Sequence, residues 1–215
     1  MCIAAMTFTL LLFASVVFNL FLIIDPVAAV PVFLYITKEN TKQERRKMVV
    51  KACTIAFLVL AFFALIGMPL LDYFNISTGA VRIAGGILLF GIGMEMLYGR
   101  VTRTETTEHE EKEAVEKPDV SVTPLAIPLL SGPGAIAATM LFSHPDNAGA
   151  VVVIAALLVV CFASLIILSL SEEMHKIFGQ LGLKVIGRVM GLLLTFVAAQ
   201  LFIDGLKAVG LVAGA

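Results

Sequence analysis

Six apolar stretches run through this chain, and no other feature limits its fold as much. They fall at residues 7–37, 48–71, 79–97, 124–143, 148–170 and 184–209. About twenty apolar residues in a row are what a helix needs to cross a hydrocarbon core about 30 Å thick. Composition agrees. Of 215 residues, 60% are hydrophobic and 14% charged, too few to clothe a soluble domain in polar surface. The expected fold class is an all-α membrane protein of six transmembrane helices.

The remaining composition excludes more than it proposes. A net charge of −1 offers neither a nucleic-acid footprint nor an acidic tail. Cys53 and Cys161 lie inside apolar runs and read as small packing residues, and Cys2 follows Met1 with no apolar segment before it, against a lipoprotein signal. His109, His144 and His175 fall in loops or at span ends without ligand spacing, so no metal and no cofactor is expected. No Lys or Arg and no clear cleavage site accompany the first apolar run, which is therefore the first span rather than a removed signal.

Charge placement orients the spans. The long polar stretch 98–122, containing TRTETTEHEEKEAVEKPD, divides the chain into segments 1–97 and 123–215. With the first, third and fifth loops placed in the cytoplasm, 13 of the 15 Lys and Arg residues lie inside and only Arg82 and Lys207 lie outside. The positive-inside rule then puts both termini outside a plasma membrane.

The first run is too long for one ordinary helix. Its 31 residues would reach roughly 46 Å at 1.5 Å each. Asp25-Pro26 and Pro31 interrupt it near the middle. Pro26 removes a donor and frees carbonyls around Leu22 and Ile23, and it suits the first position of a new helix with Asp25 as its N-cap. The fourth run repeats the device in PLAIPLLSGPGAIAATMLF, at Ser131-Gly132-Pro133-Gly134. Pro26 and Pro133 are 107 residues apart, while RIAGGILLF from Arg82 matches RVMGLLLTF from Arg188 at an offset of 106. Two anchors agreeing within one residue indicate a repeat. Three spans per repeat make the halves enter the membrane in opposite directions, with helices 1 and 4 discontinuous.

This geometry has a chemistry. Two half-helices begin at mid-membrane, each with unpaired N–H groups and a positive dipole end that suit a carboxylate, while freed carbonyls suit an ammonium group. Ala28, Ala29, Gly134, Ala135, Ala137 and Ala138 remove little room with their side chains, so the backbone itself can line a compact pocket. The candidate binding residues are Asp25, Pro26, Val27 and Ala28 at the first break, and Ser131, Gly132, Pro133, Gly134 and Ala135 at the second. Gln200, deep in the sixth span, is added to them. Asp25 reads either as a proton acceptor or ammonium partner, or as a carboxylate satisfied by capping its own helix. Asn19, Thr139 and Ser143 read as interhelical hydrogen-bond partners, and Gly85, Gly86, Gly91, Gly93 and Gly191 as points of close helix contact. Glu95 and Asp204 lie near span ends, and Arg82 and Arg188 reach toward the headgroups.

DPVAAVPVFL, RIAGGILLFGIGMEML, PLAIPLLSGPGAIAA and GRVMGLLLTFVAAQLFIDGLK together resemble the MarC family, part of the larger LysE-like superfamily. The resemblance covers nearly the whole chain except the acidic loop and the extreme termini. It implies six helices with discontinuous first and fourth spans, and transport of small neutral amino acids such as glycine and alanine. Many family members carry Asn-Pro at the first break, where this chain has Asp25-Pro26, so an ionisable group replaces an amide.

The expected function is a secondary transporter, not an enzyme, working by alternating access and open to proton coupling. Its partners are a small neutral amino acid and the bilayer, with no nucleic acid; a homo-oligomer is left open. The rivals are an intramembrane enzyme acting on a lipid or peptide, an exporter of another small metabolite, and a channel. The enzyme reading needs a nucleophile–base pair or metal ligands at membrane depth, and no HExxH or mid-span His occurs.

Overall fold

Proline, glycine and a single aspartate cut the apolar runs into helices. In the computed structural model residues 2–99, 119–144 and 148–212 are described, with side chains from residue 10 onward. Among them the order is α1 (Cys2–Ile24), α2 (Pro26–Ile36), α3 (Lys42–Tyr73), α4 (Thr78–Leu97), α5 (Ser121–Leu130), α6 (Pro133–Phe142), α7 (Ala150–Ser169) and α8 (Ser171–Ala208). No strand occurs among the described residues. Five spans are long and apolar enough to cross a membrane, α1 and α2 counting as one of them, and α5 with α6, bent by 55°, makes a sixth. The protein is an all-α membrane protein. Most of the polar stretch expected at 98–122 lies outside the described residues.

Helix starts follow side-chain chemistry. Thr41 and Glu44 form a reciprocal capping box at α3, and the Ser77 side chain accepts from the Ala80 N–H at α4. The sixth span, expected from residue 184, belongs to a helix that begins at Ser171, directly after α7. Hydropathy marks where a helix enters lipid, whereas backbone hydrogen bonding marks where it begins. Gly179, at φ 63°, joints α8 between its polar first turns and its apolar remainder.

α4 and α8 share the most extensive contact in the fold. Glycine permits it. A Cβ on Gly86 would stand 2.9 Å from both the Ala198 carbonyl oxygen and the Phe202 nitrogen, and one on Gly93 would stand 2.9 Å from the Gly191 carbonyl oxygen. Gly91 is the exception to the expected contact glycines, because a Cβ there meets nothing within 4 Å.

Several of the other contacts come in matched pairs. α1 rests on α7 as α5 rests on α3; α2 meets α8 as α6 meets α4; α2 meets α7 as α6 meets α3. Exchanging the first three spans for the last three carries each of these contacts onto its counterpart, whereas α1 with α8, α6 with α7 and α7 with α8 have no counterpart of similar extent. The main hydrophobic core among the described residues includes Leu20, Phe33, Leu60, Leu89, Leu125, Leu157 and Leu194, and a small second cluster joins Ile36, Met48 and Val120.

Candidate functional site

Asp25 makes the first break. Its backbone sits at φ 40°, ψ 65°, in the left-handed region that Asp and Asn tolerate better than other non-glycine residues. Its N–H still closes α1 on the Phe21 carbonyl at 2.9 Å, and α2 starts at once with Pro26. The Ala28 N–H donates to Asp25 Oδ1 at 3.1 Å. The carboxylate therefore caps its own helix with one oxygen. The other, Oδ2, is buried and accepts no hydrogen bond from any described residue.

The second break is built differently. α5 winds wider than an α-helix, with i to i−5 bonds such as Leu125 N–H to the Val120 carbonyl at 3.3 Å, and the backbone leaves helical angles at Thr123 and Ile127. Pro124 and Pro128 withhold the donors an α-helix would need there. Ser131 closes the segment by donating both its N–H (2.9 Å) and its Oγ–H (2.8 Å) to the Ala126 carbonyl. Gly132 then precedes α6 in extended conformation, and having no side chain it leaves the first N–H groups of α6 without a side-chain cap.

A cavity of about 30 Å³ lies against the first break, lined by Ile23, Ile24, Asp25, Ala28, Ala29, Val32, Ile92, Met96, Leu129 and Leu194. That volume suits one water-sized occupant. An amino acid, with at least five heavy atoms, enters only if the lining moves apart. Ile92 links the two breaks: it lines this cavity, and its Cδ1 lies 3.6 Å from where a Cβ on Gly134 would stand. Leu89 reaches the same place at 2.5 Å, so α4 occupies the space that a side chain at position 134 would take.

The structure distributes the expected residues unevenly. Asp25 and Ala28 line the cavity, Pro26 is buried, and Val27 is half-buried beside them. Ser131, Gly132, Gly134 and Ala135 are buried at the second break, while Pro133 is exposed. The Ser131 hydroxyl is spent on holding the break. Gln200 is not drawn to the breaks: it is exposed on α8, where its Nε2 donates to Asp204 Oδ1 at 2.9 Å. Asn19 and Ser143 likewise bond within their own helices, to the carbonyls of Ser15 (2.8 Å) and Thr139 (2.7 Å), rather than across helices. A carbonyl four residues back is always within reach of such short side chains, whereas a partner on a neighbouring helix must be brought there. Thr139 Oγ1 is buried without a partner among the described residues. Nothing in the sequence singles out Ile24, Val32, Ile92, Met96, Leu129 or Leu194. Leu89, Ile92 and Met96 keep one-face helical spacing, but on a helix apolar all round that spacing does not tell the core from the lipid side.

The model of the MarC family of integral membrane proteins matches residues 10–209. The chain is 38% identical over 195 residues to the UPF0056 membrane protein PYRAB13050 of Pyrococcus abyssi, covering 91% of this chain and 94% of that one. It is 33% identical over 198 residues to a UPF0056 membrane protein of Aquifex aeolicus, covering 91% and 92% of the two chains. It is also 36% identical to YvbG of Bacillus subtilis over 195 residues, covering 88% and 91%. No solved structure matches it. On a match that spans both helix breaks and all the apolar runs, the chain belongs to the MarC family.

Proposed function

We propose that this protein is a secondary transporter of small neutral amino acids that works by alternating access around the two helix breaks. The observation that carries the reading is Asp25 Oδ2, a buried carboxylate oxygen beside a cavity, with no donor among the described residues. Leaving such a group unpaired costs about 1–3 kcal/mol or more. A function that uses that oxygen, by binding an ammonium group or a proton, accounts for its retention. The substrate carboxylate is assigned to the N–H groups at the start of α6, where no side chain competes. The narrow cavity at Asp25, with Leu89 and Ile92 filling the space beside Gly134, favours glycine- or alanine-sized molecules.

Two further features support this reading. The reciprocal contacts fit two inverted three-span repeats, the arrangement in which rocking one half against the other exposes a central site to each side in turn. The charge distribution supports a plasma-membrane orientation with both termini outside. Proton coupling through Asp25 belongs to the same proposal.

The test is uptake and exchange of labelled glycine and alanine in liposomes holding the purified protein. Uptake above that of protein-free liposomes, accelerated by unlabelled alanine on the far side, is expected. Folded protein that moves no small neutral amino acid would sink the reading.

A further inference from the structure

We propose that Ile92 sets the upper size of the substrate side chain. This rests on the transport reading above and names the residue that makes that site selective.

Three observations meet at this residue. Ile92 is buried and lines the cavity at Asp25, and it also approaches the second break at Gly134. Among the atoms nearest to a Cβ at Gly134, Ile92 Cδ1 is the one that belongs to a residue lining the cavity. The site proposed for the substrate therefore lies on either side of it.

Its chemistry makes it a firm wall. Ile92 is β-branched and has few rotamers in a helix, whereas its neighbour Met96 is unbranched and adapts to irregular space. Its backbone is equally constrained. The adjacent Gly93 is fitted against α8, with the Gly191 carbonyl oxygen 2.9 Å from where its Cβ would be, so α4 cannot move toward α8 to make room. Nor is there slack on the other side, where Leu89 and Ile92 already fill the space left by the bare Gly134. Once the lining has parted to admit a substrate, each further carbon on its side chain presses on a stiff residue of a clamped helix. Ile92→Ala removes three carbon atoms at that point, the number in a valine side chain.

The experiment compares uptake of labelled glycine, alanine, valine and leucine by the parent, Ile92→Val, Ile92→Ala and Ile87→Ala in the same liposomes. Ile87 is exposed on α4, so its variant removes the same atoms from the same helix without touching the cavity. The parent should prefer alanine over valine by about tenfold or more, the discrimination typical of extra carbon atoms at an apolar wall. That ratio should fall about tenfold in Ile92→Ala, fall partway in Ile92→Val, and stay unchanged in Ile87→Ala. If Ile92→Ala does not fold, the graded change in Ile92→Val decides. Ile92 variants that carry alanine with the parent ratio overturn the assignment while leaving the transport reading intact. A parent that carries no neutral amino acid overturns both.

Discussion

Asp25 joins two demands in one side chain. The chain must leave helical geometry and restart within one residue, and a left-handed backbone at φ 40° does this only if the residue tolerates it. Aspartate does, and its Oδ1 also supplies the cap for α2. Asparagine tolerates the same backbone and offers an amide oxygen for the same cap. Asp25→Asn is therefore expected to fold with a thermal midpoint close to the parent in detergent. Its transport should differ: either the response to an imposed proton gradient disappears, or the affinity for the amino acid weakens. PH-jump-driven uptake and substrate binding measured side by side in the same liposomes would show this. If neither changes, Asp25 is a cap alone and the coupling group lies elsewhere.

Among the elements, α4 and α8 carry the tightest contact, and the two glycine types on α4 separate packing from propensity. At Gly86 an added methyl meets the backbone of α8, which cannot rotate away as a side chain can. Gly86→Ala should therefore push the helices apart and lower stability by about 1–3 kcal/mol, as overpacking does. Gly91, five residues on, faces open space. Gly91→Ala should leave stability unchanged or raise it by up to about 1 kcal/mol through helix propensity. Thermal unfolding of both variants in one detergent is the check, and equal midpoints would show that the α4–α8 contact tolerates separation. The broken spans follow the same division. Pro26 and Pro133 interrupt their helices by lacking a donor, and the second break, bent by 55°, also follows a segment whose backbone leaves helical angles at Thr123 and Ile127.

Across the whole molecule, Arg45 ties three parts together. Its Nε donates to the Thr37 carbonyl at the end of α2 (2.9 Å), its Nη2 to the Lys38 carbonyl (3.3 Å), and its Nη1 to Glu172 on α8 (2.9 Å). Lys42 completes the group at 2.9 Å from Glu172. A cleft of about 420 Å³ opens beside these charges, and Phe33 of α2 forms part of its wall. The hydrogen bond from Lys42 is the main reason the Glu172 carboxyl sits below its ordinary value of 4.5. A carboxylate whose folded pKa is depressed contributes stability above its unfolded pKa and loses that contribution as pH falls through the folded one. Glu172→Gln should lower the thermal midpoint near pH 7, and the gap to the parent should close as the pH is taken below 4.5. A gap that persists in acid would mean that the side chain matters for packing and not for charge.

Much of this was legible in the residues alone. The spans could be counted because lipid demands long apolar helices whatever their neighbours are. The positions of both breaks could be read because Pro26 and Pro133 withhold donors locally, and a missing N–H is a property of the residue itself. Asp25 stood out because a carboxylate within an apolar run is costly wherever it points. Tertiary structure decided the rest. Gln200 and Asp25 are both polar residues inside spans, but only packing put one on the outside of α8 and the other against a cavity. Gly86 and Gly91 read alike until α8 was laid against one of them. Ile92, one apolar residue among many on α4, became the link between the two breaks because of what lies beside it. Sequence records what a side chain is; which helix stands opposite it depends on contacts between residues far apart in the chain, and those exist only once the spans have assembled.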